Sequence, residues 1–205
     1  EEGACAVADI LFGDYNPGGK LPISFPRSVG QVPVYYNHKP SGGRSHWRGN
    51  YVEMSGKPLF SFENGLSYTG FEYNNMVIIP KSISWDGQVE INVDVKNTGS
   101  CAGDEVVQLY INGTQSEVTR PVKELKGFKR VTLKPSQKKI VTFILSIGQL
   151  GFYNKDMKYV VEPGIIKVMV GSSSEDIRLT GEFEITGEVT EIESGKKYFT
   201  LIRVK

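Results

Sequence analysis

Two cysteines and two histidines in 205 residues leave little material for metal or redox chemistry. Cys5 and Cys101 lie in segments of different character, so a disulfide has no support beyond their number. Two isolated buried thiols are the simpler expectation. With only His38 and His46 beside them, no metal-ligand cluster forms and no cofactor is implied. An excess of charge of one sign is missing too. The formal net charge is +1, which argues against nucleic acid as the main partner. No apolar run approaches the ~20 residues that a membrane span needs. The chain opens on Glu1-Glu2, without the basic start and apolar stretch of a signal peptide, as expected of a mature form or of a piece cut from something longer.

What is present suits a folded protein. Hydrophobic residues make up 39% of the chain, enough for a packed core and too many for wholesale disorder. The length fits one large domain, or one domain with part of another. Residues 1–13, "EEGACAVADILFG", place Ala4, Val7, Ala8 and Leu11 at helical spacing, with Gly13 as the stop. The turn "DYNPGGK" follows. In "LPISFP", Leu21, Ile23 and Phe25 alternate toward Pro26, which predicts a short strand. These 26 residues are too few to bury both faces of anything. They read as the last unit of an α/β domain. Residues 27–57 show no sustained period and form a long polar loop containing Trp47 and Tyr51, of a kind that is usually functional or disordered.

From about residue 71 the pattern is all-β. "VEINVDVKN" alternates Val89, Ile91, Val93 and Val95 against polar neighbours, a strand with one buried face. "EVVQLYI", "KELKGFKRVTL" and "KKIVTFILS" follow, and "MKYVVEPGIIKVMVG" predicts a hairpin over Glu162-Pro163-Gly164. "IRLTGEFEIT" alternates Leu179, Gly181, Phe183 and Ile185. Seven or so strands over this length favour an immunoglobulin-like sandwich. The fold class is therefore mainly β, an immunoglobulin-like β-sandwich preceded by a short α/β stub. The expected segments are the stub at 1–37, a loop and aromatic connector at 38–70, the sandwich at 71–187 and a tail at 188–205. The tail carries one more candidate strand, "KYFTLIRV".

Candidate sites come in several kinds. In the connector "PLFSFENGLSYTGFEYNN", Phe60, Phe62, Tyr68, Phe71 and Tyr73 can each bury a large area. They read as a clamp between the α/β unit and the sandwich, with Gly65 allowing a sharp turn. A sugar-stacking platform is the competing reading. In the loop 38–51, which also carries His46, Trp47 offers a flat ring for stacking and Arg44 or Arg48 can donate hydrogen bonds to a ligand beside it; packing on a neighbouring domain is the alternative. Asp104 and Glu105 are adjacent, but neighbours on a strand point to opposite faces, so a charged turn and strand edge is expected. Glu63 reads as a structural contact. Glu182 and Glu184 are solvated charges on a polar face. The basic run from Arg120 to Lys139 suggests an anionic polymer or a solvated sheet face, and its alternation with Val122, Leu125, Val131 and Leu133 favours the latter. Asn112-Gly113-Thr114 is a glycosylation sequon, relevant only in a eukaryotic secretory setting.

Three ordered blocks resemble glycoside hydrolase family 3. Glu2, Gly3, Ala6, Ala8, Asp9, Leu11, Phe12 and Gly13, then Asn16, Pro17, Gly19, Lys20, Leu21, Pro22, Phe25 and Pro26, match the end of that family's second domain. Pro58, Leu59, Phe60, Phe62, Gly65, Leu66, Ser67, Tyr68, Thr69 and Phe71 match its connector. Ser61 and Glu63 depart from it, since the family usually has proline and glycine there. "VKNTGSCAGDEVVQLYI", "RPVKELKGFKRVTL" and "VVEPGIIKVMVGSSSEDIRLTGEF" are similar to the fibronectin type III-like domain of these enzymes. The resemblance covers about residues 1–186.

It implies a hydrolase, a retaining β-glycosidase of the β-glucosidase or β-xylosidase type, which needs two carboxyl groups about 5 Å apart. The family's nucleophile sits in a Ser-Asp-Trp or Ser-Asp-Tyr motif of an N-terminal barrel, and this chain has no Ser-Asp pair. The acid/base, usually a glutamate of the second domain, belongs upstream of the segment matched here. No catalytic residue is carried over, so the chain alone is expected to be inactive and structural. Its implied partners are the upstream barrel and α/β domain, carbohydrate through the whole enzyme, and, as an option, a second copy in a homodimer. A periplasmic or extracellular setting follows from the resemblance alone. A free-standing carbohydrate-binding or adhesion module is the rival reading, and a row of exposed aromatics on one sheet face would favour it.

Overall fold

The computed structural model describes residues 3–40, 54–113, 116–192 and 196–205. Helix α1 spans Gly3–Phe12. Gly13, at φ +88°, ends it in the left-handed conformation that glycine tolerates best, and its N–H reaches back to Ile10 O at 3.2 Å. The strand expected over Leu21–Phe25 does not form as a ladder. Pro22 lacks an N–H, and the run instead bonds the connector at its two ends. Leu21 N–H donates to Asn64 O at 2.9 Å and Phe25 N–H to Phe60 O at 2.8 Å.

The β-strands are β1 (Phe71–Ile79), β2 (Ser82–Ile83), β3 (Gln88–Asn97), β4 (Gly103–Gly113), β5 (Glu124–Leu133), β6 (Lys138–Ser146), β7 (Phe152–Tyr153), β8 (Tyr159–Val161), β9 (Gly164–Gly171), β10 (Ile177–Ile185), β11 (Thr190–Glu191) and β12 (Leu201–Val204). A four-stranded sheet has the order β1-β3-β6-β12, a five-stranded sheet the order β2-β10-β9-β4-β5, and a small third sheet the order β11-β8-β7. The two large sheets face each other. Val89, Ile91, Val93 and Val95 of β3 meet Val107, Leu109 and Ile111 of β4 and Phe143 of β6, with Val168 and Val170 from β9 and Phe183 from β10. Strict period-two alternation makes this core: one strand face is dry and the other is polar.

The structure departs from the sequence expectation at several points. The hairpin expected over 162–164 is a crossover. β8 pairs β7 and β11, whereas β9 pairs β4 and β10. Gly164 lies at φ +139°, so the chain can swing between sheets at a backbone angle that side chains oppose. The tail strand forms, shortened to β12, antiparallel to β6. Cys5 is exposed on a helix that has no buried residue, Cys101 is half-buried, and both are free thiols.

β4 breaks its own alternation, because Val106, Gln108 and Tyr110 are buried along with the core-facing residues. Their cover comes from the stub and the connector.

Candidate functional site

The residues that join the stub to the sandwich meet over β4. Tyr36 stacks on Phe62 with ring centroids 4.3 Å apart and planes 13° apart, and presents its edge to Tyr110 of β4 at 5.8 Å. Burial pushes the Tyr36 phenol above its ordinary pKa. Beneath this stack, Tyr110 O–H donates to Gln108 Oε1 and Gln108 Nε2 donates to Ser172 O at 2.7 Å. Ser61 is buried, with its hydroxyl donating to Ser173 Oγ at 3.3 Å, and Ser174 N–H donates to Phe62 O at 3.1 Å. A buried polar layer of this kind is stable only when its members are partnered.

A second joint lies at the other end of the connector. Asn16 Nδ2 donates to Ala102 O at 2.9 Å, while its Oδ1 accepts from Tyr68 N–H at 2.8 Å and Ser67 Oγ at 3.0 Å. One side chain thus ties the stub turn, the connector and the start of β4. Tyr68 O–H donates to Ile10 O, fixing the end of α1. Gly65 serves close approach: a Cβ there would come within 2.4 Å of Gly19 O. It is absent from the positive-φ glycines among the described residues, which are Gly13, Gly164 and Gly187, and the turn of the connector lies just before it, at Phe62-Glu63.

The candidate residues fall out as follows. Phe62 and Phe71 pack toward the sandwich, and Phe71 lies against the core. Phe60 packs edge-on against Phe25 of the stub, at 6.3 Å and 75°, and stays 47% exposed. Tyr68 is also more than half exposed. Arg44, His46, Trp47 and Arg48 lie outside the described residues. Asp104 and Glu105 do not form a charged edge of two free carboxylates. Asp104 meets Arg130 at 2.6 Å. Glu105 is buried and meets Lys20 at 3.0 Å. Burial pushes the Glu105 carboxyl above the usual range, against the pull of Lys20. Glu63 has φ +63°, and burial raises its carboxyl as well.

In the basic run, Arg120 and Lys126 bind Glu124 at 2.8 and 3.0 Å, and Lys138 binds Asp94 at 3.0 Å. Much of that charge is therefore neutralised in place. Sequence reading missed Gln31. It is 2% exposed, and its Nε2 donates to Lys57 O at 2.9 Å and Gly56 O at 3.1 Å, stapling the loop. A lone glutamine in an aperiodic stretch gives no signal. Among the described residues no three His, Cys, Asp or Glu side chains converge as a metal site.

The stub leaves apolar surface uncovered: Leu11, Phe12 and Val29 are 74%, 84% and 90% exposed. Leu11 and Phe12, neighbours at the end of α1, put two large apolar side chains side by side in the chain on the outside of the stub.

Known proteins are similar to most of this chain in sequence and fold. The glycosyl hydrolase family 3 C-terminal domain matches residues 1–68, and the fibronectin type III-like domain matches residues 105–174. A periplasmic beta-glucosidase of Salmonella typhimurium is 44% identical over 190 residues, 90% of this chain and 25% of that protein. A beta-xylosidase of Formosa agariphila is 49% identical over 170 residues, 83% of this chain and 23% of that protein. The crystal structure of a beta-glucosidase from Listeria innocua superposes with a TM-score of 0.85 at 38% identity, covering 92% of this chain and 27% of that one. The chain spans about a quarter of the length of the curated relatives it matches. With both domains matched in order and the fold shared, the chain belongs to glycoside hydrolase family 3, as its C-terminal segment joined to a fibronectin type III-like domain.

Proposed function

We propose that this chain is the structural, C-terminal portion of a retaining β-glycosidase of the β-glucosidase type, which removes terminal β-linked sugars with carboxyl groups supplied from elsewhere in the enzyme. The observation that carries the reading is the contrast between the two ends of the stub. One end is bound into the sandwich by Asn16, Lys20 and the Tyr36–Phe62 stack. The other presents Val7, Leu11 and Phe12 to solvent, as a surface built to be covered by the rest of an α/β domain. In this reading Phe60, Phe62, Tyr68 and Phe71 are the clamp, and the sandwich holds the stub at a fixed angle to the catalytic domains. Asp104 and Glu105, neighbours on one strand, point to opposite faces and meet different cations, so they are not read as the facing acid and nucleophile of a retaining pair. The loop 38–51, with Arg44, His46, Trp47 and Arg48, shapes the acceptor side of the pocket.

The test is turnover of an aryl β-glucoside. The purified chain is expected to show none, and the full-length enzyme to show hydrolysis with retention. Robust turnover by the chain alone overturns the proposal.

A further inference from the structure

Between β5 and the segment entering β12 runs a groove of about 300 Å³, lined by Leu125, Lys126, Phe128, Tyr198, Phe199 and Thr200 among others. Phe128, Tyr198 and Phe199 are 60%, 71% and 90% exposed. Their backbone is anchored. Thr200 Oγ1 donates to Lys126 O at 2.6 Å, and Gln149 Nε2 donates to Phe199 O at 2.9 Å. Gly127 lets the segment settle this close, since a Cβ there would lie 3.2 Å from Thr200 and from the Phe143 ring. The rings are thus held outward by a fixed main chain. β5 and β12 are edge strands of the two large sheets.

Basic side chains predominate around these rings, with Lys126 paired to Glu124 and Arg130 to Asp104. Residues 125–139 carry six Lys or Arg and no carboxylate, and residues 196–205 carry four and none. Lys129, Lys197, Arg203 and Lys205 are exposed, and none is in an ion pair among the described residues. Exposed rings suit the apolar face of a pyranose. Unpaired cations favour an anionic chain.

We propose that this groove binds an anionic glycan, a polysaccharide bearing uronic acids, with its sugar faces on Phe128, Tyr198 and Phe199 and its carboxylates on the flanking lysines and arginine. The inference rests on the β-glycosidase reading, which makes a glycan, and not a nucleic acid, the polymer expected at this surface. The site would hold substrate-bearing polymer near the enzyme and take no part in bond cleavage.

The test is affinity electrophoresis of the full-length enzyme in native gels containing polygalacturonate, a neutral β-glucan or single-stranded RNA. Polygalacturonate is expected to retard the protein most, with the retardation reduced by added salt. Phe199→Ala and Tyr198→Ala should each weaken it by about fivefold, and Lys197→Glu should weaken it without touching a ring. All three side chains are exposed, and unchanged melting temperatures exclude misfolding as the cause. Aryl β-glucoside turnover, read on the same samples, should be unchanged in the variants. Its absence in the wild-type enzyme counts against the β-glycosidase reading and is scored separately from retardation. Equal retardation of variants and wild type, preference for the neutral glucan, or stronger retardation by RNA overturns the proposal.

Discussion

Lys20 Nζ lies 3.0 Å from Glu105 Oε1, and the two side chains are only 11% and 6% exposed. The pair joins the Gly18-Gly19-Lys20 turn of the stub to β4 of the sandwich, and Glu105 Oε1 also accepts from Val106 N–H at 2.8 Å. Two charges taken out of water gain little as a pair, but each depends on the other. Lys20→Met should therefore destabilise the chain by about 3–5 kcal/mol, because it strands a buried carboxylate. The double variant Lys20→Met/Glu105→Leu should recover most of that loss. Urea unfolding measures both; a single variant as stable as wild type contradicts the argument.

Glu63 occupies φ +63°, in the left-handed region where a side chain is disfavoured and glycine is free. Its N–H is committed, donating to Leu21 O at 2.8 Å, so the backbone cannot relax by turning away. Glu63→Gly should raise stability by about 0.5–1 kcal/mol. Glu63→Ala retains the backbone cost and should fall below Glu63→Gly. Thermal melting of the two variants side by side decides it.

How legible these features were depends on what each residue reports. The sandwich core was readable because Val89, Ile91, Val93 and Val95 alternate without a break, and burial on one sheet face imposes that period. Glu63 was visible as a departure from a glycine position, which is a backbone requirement that a sequence can expose. The cover over Val106, Gln108 and Tyr110 was not readable, since partners distant in sequence bury that face. The hairpin over Glu162-Pro163-Gly164 misled for a related reason: turn residues show that the chain bends, and cannot tell a return within a sheet from a crossing between sheets. Lys20 looked like one more residue of a turn and Glu105 like part of a charged strand edge, because pairing across 85 positions leaves no local pattern.

Asn16 makes a donor and two acceptor contacts across three segments. Asn16→Ala should cost about 1–3 kcal/mol, the sum of three modest hydrogen bonds. Asn16→Asp keeps both acceptor contacts but sets an oxygen against Ala102 O in place of the donor; with Tyr68 N–H still anchored it should fall between wild type and Asn16→Ala. Protease nicking within the connector should rise in the same order, because Tyr68 N–H loses its anchor. If nicking is unchanged in Asn16→Ala, the side chain is not what holds the connector down.

Acid and alkali should act on two carboxyls in opposite senses. Asp176 accepts from Arg178 and from Ser172 Oγ at 2.7 Å, and the Arg178 hydrogen bonds hold its pKa below the ordinary 3.8. Its contribution is therefore complete above about pH 3.8 and is lost as pH falls through the lower, folded value. Glu105 is shifted the other way, above its ordinary 4.5, chiefly by burial. The folded state binds that proton more tightly than the unfolded chain, so stability declines as pH rises from about 4.5 through the raised value. Melting temperatures across this range should show both limbs. Asp176→Asn should make the acid limb shallower, and Glu105→Gln the limb above pH 4.5, which Glu63, also raised by burial, shares. Should Glu105→Gln leave the upper limb as steep as in wild type, the buried carboxyl is not its source.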